Sequence, residues 1–244
     1  NISVGKYRRR VCENEQWRPI RNDHDKNMIY DCFIFFNELD LLEIRLNVLN
    51  SVADKFVLVE ATHTFQGNPK PLHYSDNRER FKNFHDKIIH VVVDDLPPKS
   101  FAIWKPATAR GPWEMEIYQR NAIARGLKNC RVDDTIIISD LDEIPDPKKV
   151  IEFSPLPGFK AFQQKNFYYY LNCICLSEEW YGSVMAHYKD LRQPQHFRSI
   201  SKEMSARKKR ILKDPLYRFF RSIVNPDVRQ PITRVGNAGW HFGY

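Results

Sequence analysis

No run of eighteen apolar residues occurs anywhere in the 244-residue chain, which excludes a membrane-spanning helix. The densest apolar stretches, Ile29–Phe36 and Thr135–Ser139, have only the length of strands. Cysteine is scarce: there are five, and the one close pair, Cys173-Ile-Cys175, lacks the two-residue gap and the second pair of a zinc site. Buried thiols are the expectation. There is no internal repeat, no low-complexity tract and no RNP, KH or zinc pattern, and no basic start, apolar stretch and small-residue cleavage site follow Asn1, so no signal peptide is expected in the chain. What is present, 42% apolar and 28% charged residues, excludes a wholly disordered polypeptide.

The net charge is +8, and its distribution says more than its size. Between Lys189 and Arg234 stand thirteen basic residues against four acidic ones, so the excess belongs to the last fifth of the chain. Such a segment suits a polyanion, an anionic surface or a phosphorylated substrate. Residues 1–27 are polar, contain Arg8-Arg9-Arg10 and show no sustained period, and are expected to form an irregular arm.

From Met28 onward a fold is legible. Ile29–Phe36 is β-rich and apolar on both faces, as a central strand covered on each side must be. Asp40 is the expected N-cap of a largely buried helix carrying Leu42, Leu46 and Leu49 on one stripe and Leu41, Ile44 and Val48 on another. Lys55–Ala61, Ile88–Val93 and Thr135–Ser139 read as further strands, with a helical pattern over Trp113–Lys128. Strands alternating with helices predict an α/β fold with a mainly parallel central sheet, helices on both faces, and ligands beyond the carboxyl ends of the strands. After Pro145 the prolines at 147, 155 and 157 and an aromatic cluster predict short antiparallel strands. Tyr168–Tyr170 is expected to alternate between core and surface of a strand, and residues 201–221 to form a solvated basic helix or loop.

The sharpest local signal is Ser139-Asp140-Leu141-Asp142-Glu143-Ile144-Pro145, with three carboxylates in four positions at the end of a buried strand. Carboxylates so crowded raise one another's pKa values unless a cation neutralises them. Mg²⁺ or Mn²⁺ takes oxygen ligands, commonly one or two carboxylates together with substrate phosphates. In an extended backbone Asp140 and Asp142 face one way and Glu143 the other. The bland alternative is a solvated acidic turn. Two reaction classes place an acidic pair here: a haloacid-dehalogenase-like phosphatase, which sets it near the start of its core, and a nucleotide-sugar glycosyltransferase of the GT-A type. More than a hundred residues precede this pair, which favours the second.

Separated segments then resemble glycosyltransferase family 17: Phe35–Leu46, Val57–Ala61 with Thr64-Phe65-Gln66-Gly67 and Lys70-Pro71-Leu72, Gln119-Arg120-Asn121, Ser139–Pro145 and Gly239-Trp240-His241. The resemblance implies a GT-A-like domain over 28–244, with a nucleotide-sugar half at 28–145 and an acceptor half at 146–244 that includes the basic segment 189–234. It implies an inverting, Mn²⁺- or Mg²⁺-dependent transfer of GlcNAc from UDP-GlcNAc to a glycan or other hydroxyl acceptor. Metal ligands are expected at Asp140, Asp142 and His241, and donor contacts at Asn37, Glu38, Glu60, Lys70, Arg120 and Asp140. The proton acceptor is expected at Glu179 or Glu143, with Glu178 a further choice and an acceptor sugar stacked on Trp180 or Tyr181. Arg120 is expected to meet the diphosphate or a carboxylate of the acidic cluster, and each residue has a plainer reading: strand-end capping for Asn37, Glu38 and Glu60, a hydrated surface amine for Lys70, a packed residue for His241, and a helix-surface salt bridge for Arg120. The rival functions are a polyanion- or nucleic-acid-binding module and a metal-dependent phosphohydrolase. Oligomeric state and compartment stay open: cytoplasm for a microbial source, Golgi lumen if an anchor precedes the chain.

Overall fold

The computed structural model describes residues 27–97, 111–170, 172–206 and 232–243. The expected polar arm, apart from residue 27, and the basic cluster Arg207–Arg210 lie outside these residues.

The first half is built from β1 (Ile29–Phe35), α1 (Leu39–Leu49), β2 (Lys55–Ala61), α2 (His73–Asp76), β3 (Ile88–Val93) and β4 (Thr135–Ile138). These four strands pair in parallel in the order β3-β2-β1-β4. Alternate residues feed two cores, one on each face of the sheet. Phe33, Phe35, Phe56, Leu58 and Ile137 pack into one, while Tyr30, Cys32, Val57, Ile136 and Ile138 pack into the other. Helix α1 closes the first core with Leu42, Leu46 and Leu49, all fully buried. Each such leucine contributes about 1.5–3 kcal/mol by leaving water. The other stripe is not buried as expected: Ile44 is 48% exposed. Asp40 does not cap the helix but sits in its first turn, where a carboxylate suits the helix dipole, and it pairs with Arg80 at 2.6 Å. The second core is covered by α3 (Gly111–Asn121), α4 (Ile123–Gly126) and α6 (Pro194–Ala206), through Tyr118, Ile123, Phe197 and Ile200.

The second half departs from the expectation of short, irregular strands. Pro147 opens rather than breaks a helix, α5 (Pro147–Phe153), because Asp146 accepts from the Lys148 N–H at 2.8 Å as N-cap and proline suits the first helical position. Then come two long strands, β6 (Phe159–Tyr168) and β7 (Ile174–His187), followed after α6 by β8 (Ile232–Val235) and β9 (Gly239–Gly243). They extend the same sheet: β7 pairs antiparallel with β4 and β6, and β6 pairs in parallel with β8 at its start and β9 at its end. The short β5 (Glu143–Pro145) joins β9 antiparallel. Register places His241 opposite both Glu143 and Asn166. Gly239, with φ +138°, makes that join possible, since a Cβ there would strike the Ile144 carbonyl. Of the cysteines, Cys32 is buried as expected, Cys173 is exposed, and Cys130 and Cys175 are half-buried. Among the described residues no helix is long and apolar enough to cross a membrane.

One buried charge gives a stability test. Lys160 on β6 is 1% exposed and donates to the Leu156 carbonyl, and burial lowers its pKa from 10.5 to about 8 against the opposing pull of Asp190. Between these values the unfolded chain binds more protons than the folded one, so stability rises with pH across that window. Denaturant titrations from pH 7.5 to 10.5 should show the wild type gaining about 3 kcal/mol relative to Lys160→Met. A difference independent of pH would contradict a neutralised Lys160.

Candidate active site

The acidic segment leaves β4 at the carboxyl edge of the sheet, and a single buried arginine fixes its shape. Arg45 on α1 is fully buried and pairs with Asp31 on β1 through Nε to Oδ2 at 2.8 Å and Nη2 to Oδ1 at 2.7 Å. Its Nη1 meets the carbonyls of Asp140, Leu141 and Glu143 at 2.9–3.0 Å, and Nη2 also reaches Ser139 Oγ at 2.6 Å. Three carbonyls turned toward one cation leave the loop wrapped around the guanidinium.

Asp140 is bracketed by two further arginines. Arg120 on α3 meets Oδ1 at 2.7 Å and Arg198 on α6 meets Oδ2 at 2.9 Å. Desolvation acts to raise the Asp140 pKa, but the charges of Arg198 and Arg120 outweigh it and hold the carboxyl well below the usual range. Arg120 also pairs with Glu116 at 2.7 Å. Its buried Nε finds no acceptor among the described residues.

Glu143 is wholly buried. It accepts from Trp180 Nε1 at 2.9 Å, Arg198 Nη2 at 2.6 Å and the Asp140 N–H at 2.8 Å. Burial raises its pKa, with Arg198 opposing and the neighbouring Asp140 and Asp142 reinforcing the rise. Gly182 permits this approach, because a Cβ there would overlap Glu143 and Gln164.

Asp142 and His241 come together at the edge of the site. His241 Nε2 lies 3.4 Å from Asp142 Oδ2, while Nδ1 donates to Asn166 Oδ1 at 2.7 Å. Trp180 stacks flat on the imidazole, with 4.3 Å between centroids and 4° between planes. With Nδ1 turned to Asn166, the Nε2 of His241 faces a carboxylate, an arrangement that suits positive charge between them: a proton or a metal cation. Two ligands, one imidazole and one carboxylate, fit a Mn²⁺ or Mg²⁺ ion that takes its remaining oxygens from water and phosphate. Asp140 does not join them, since guanidinium groups hold both its oxygens. Among the described residues no three His, Cys, Asp or Glu side chains converge as a metal cluster.

A cavity of about 650 Å³ opens over the carboxyl ends of β1 and β4, the point at which strand order reverses. Its walls include Phe36, Phe65, Gln119, Arg120, Asp140 and Asp142. A second cavity of about 810 Å³ adjoins the start of α1 and the turn after β6, and Glu38 lines both.

The sequence model of glycosyltransferase family 17 matches residues 3–207. The chain belongs to glycosyltransferase family 17. It is similar to the β-1,4-mannosyl-glycoprotein 4-β-N-acetylglucosaminyltransferases of Homo sapiens and Rattus norvegicus, each 32% identical over 115 residues. That stretch covers 45% of this chain and 20% of either relative, so the match spans about a fifth of the relatives' length. Among solved structures, HddC from Yersinia pseudotuberculosis is 9% identical and covers 87% of this chain and 92% of its own, with a TM-score of 0.43, too distant to bear on fold or function.

Within this family 17 chain the expected site residues divide. Arg120, Asp140 and Asp142 line the first cavity, Glu38 lines both, and Asn37 lines the second. Glu60 lines neither cavity: it is fully buried, accepts from the Tyr74 N–H at 3.0 Å and pairs with His90 at 3.1 Å and Lys70 at 3.6 Å. Lys70 is consumed by that carboxylate and by the Phe36 and Pro71 carbonyls. Glu143, enclosed by three donors, has no route to a substrate hydroxyl. Glu179 is exposed, and alternation along β7 turns it away from the side on which Trp180 meets His241. Sequence reasoning missed Arg45, Asn166 and Arg198 entirely. The only signal for Arg45 was a charge among buried-looking leucines on a helix.

Removing Arg45 strands Asp31 and three carbonyls in the interior. Arg45→Leu should lower unfolding free energy by about 3–5 kcal/mol in urea titrations. A loss below about 1 kcal/mol would show that the clamp is dispensable.

Proposed function

We propose that this chain carries the nucleotide-sugar site of an inverting GT-A-type glycosyltransferase, moving GlcNAc from UDP-GlcNAc to a hydroxyl of a glycan. The observation that carries the reading is the first cavity: aromatic and amide groups share its walls with Arg120 and Asp142, over a sheet's switch point. Phe36 and Phe65, 41% and 36% exposed, offer faces to a uracil ring, and Gln119 with Thr64 offers hydrogen bonds to ribose or base. Arg120, a guanidinium in the cavity wall, suits the diphosphate. Membership of glycosyltransferase family 17 supports transfer, and the relatives' names support GlcNAc as the sugar and a mannosyl glycan as the acceptor.

In such a transfer the acceptor oxygen attacks the anomeric carbon from the face opposite the diphosphate. The carbon–oxygen bond to phosphate breaks, and UDP leaves with its charge. Asp142 and His241 are the residues that would hold Mn²⁺ or Mg²⁺, which would supply Lewis-acid neutralisation of that charge. Arg120 adds a guanidinium contact, and Asp140 keeps Arg120 and Arg198 aligned while their charges stay balanced. Glu38 is the carboxylate we assign to receive the hydroxyl proton. In its favour, it borders both cavities, and its Oε2 is steadied by the Phe36 and Asn37 N–H groups at 3.2 and 2.9 Å.

Two substitutions separate these roles. Asp142→Asn should abolish the Mn²⁺-dependent component of UDP-GlcNAc binding in calorimetry; donor affinity unchanged between Mn²⁺ and excess chelator would overturn the metal assignment. Glu38→Gln should cut turnover by about 10²–10⁴-fold with donor affinity retained. Turnover within threefold of wild type would send the search for the base elsewhere.

A further inference from the structure

The second cavity has a chemistry unlike the first. Its floor is aromatic: Phe167 and Phe242 stack with centroids 5.8 Å apart. Tyr169 and Tyr170 line it as well, and they are 78% and 74% exposed, among the most open large side chains described. They do not alternate along a strand as the sequence suggested. They form the turn that leaves β6, and Tyr169 occupies a left-handed conformation at φ +61°. That conformation is costly for a bulky residue, on the order of 1–3 kcal/mol, and it is maintained by the Tyr169 N–H to Gly243 carbonyl bond at 3.0 Å and the Tyr170 N–H to Tyr168 carbonyl bond at 2.7 Å. Folding thus holds two tyrosine rings in water at a backbone cost, with no burial gained in return. Asn37 and Asp40, at the start of α1, line the same cavity, with Asp40 tied to Arg80.

Exposed aromatic faces beside planar amide, carboxylate and guanidinium groups match a sugar. The axial C–H faces of a pyranose pack on rings, and its hydroxyls pair with polar groups around the edge. We propose that this cavity is a carbohydrate-binding cleft that seats the acceptor glycan, with Tyr169 and Tyr170 as its stacking platform. The proposal rests on the transferase reading for the word acceptor, and on the cavity itself for the word carbohydrate. Continuity favours it: Glu38 is common to both cavities, so a sugar lying on the tyrosines brings a hydroxyl edge toward the donor and the proposed base. At about 810 Å³ the cleft has room for more than one sugar residue. Trp180, the platform expected from sequence, is committed instead to His241 and Glu143.

The test is calorimetric titration of the full chain with β-1,4-mannotriose, without donor, alongside a separate titration with UDP-GlcNAc in Mn²⁺. The variants are Tyr170→Ala, Tyr169→Asn, which tolerates the left-handed backbone, and Tyr170→Phe, which keeps the ring. The proposal expects mannotriose affinity to fall at least tenfold in the first two, to stay within twofold in Tyr170→Phe, and donor affinity to be the same in all. Mannotriose bound equally by Tyr170→Ala, or not bound by the wild type, overturns the cleft. Mannotriose binding that is lost with the tyrosines in a protein that fails to bind UDP-GlcNAc leaves the cleft standing and removes the transferase reading.

Discussion

The pair between Arg45 and Asp31 is the constraint on which the site depends. Both side chains are fully buried, and desolvating two ions costs several kcal/mol that one salt bridge seldom recovers. The guanidinium offsets this by satisfying Ser139 Oγ and three carbonyls as well, so no part of its hydrogen-bonding capacity is spent on water. The consequence is geometric. A loop whose carbonyls are gathered inward around a cation from α1 cannot relax outward, and the carboxylates of Asp140 and Asp142 hold their places at the cavity wall.

Charge balance follows from this placement. Asp140, Glu143, Asp142 and Glu116 stand close together, and among the described residues Arg120 and Arg198 are the guanidinium groups that meet them. The two arginines divide unequally: Asp140 receives both and is strongly acidified, whereas Glu143 has Arg198 alone and is raised by burial. Asp142 is left facing His241. The cluster therefore has room for added positive charge at the end where Asp142 lies, and a diphosphate arriving there would restore the deficit unless a cation came with it. On the proposed transferase reading, a metal ion and an anionic donor would depend on one another at such a place.

The parallel half was legible because strands buried on both faces must be nearly continuous runs of branched and aromatic residues, which is how Ile29–Phe36, Lys55–Ala61 and Thr135–Ser139 announce themselves. The position of the acidic segment followed from the end of β4. What could not be read is what depends on pairing between distant segments. Arg45 and Arg198 look like surface charges on helices, since burial of a charge is decided by which carboxylate the fold brings opposite it. Glu60 ends a strand where a ligand was expected, yet the Tyr74 N–H needed an acceptor there and took it. Tyr168–Tyr170 misled for a related reason: alternation predicts a strand, but one left-handed residue turns a strand into a platform.

His241 shows how topology assembles chemistry from remote sequence. It lies about a hundred residues from Asp142, and β9 brings it back by inserting between β5 and β6, pairing with both. The insertion fixes more than distance. Asn166 on β6 sets the tautomer from one side, Trp180 on β7 fixes the plane of the ring by stacking, and the same indole N–H holds Glu143. The orientation of the imidazole is thus determined by backbone pairing, by packing and by a hydrogen bond, each from a different strand. β9 continues from His241 to Phe242 and Gly243, and these reach the second cavity, where Phe242 floors the cleft and the Gly243 carbonyl holds Tyr169 in its strained turn. One short strand therefore couples the two cavities mechanically, so that a displacement of β9 would disturb the Asp142–His241 pair and the tyrosine platform together.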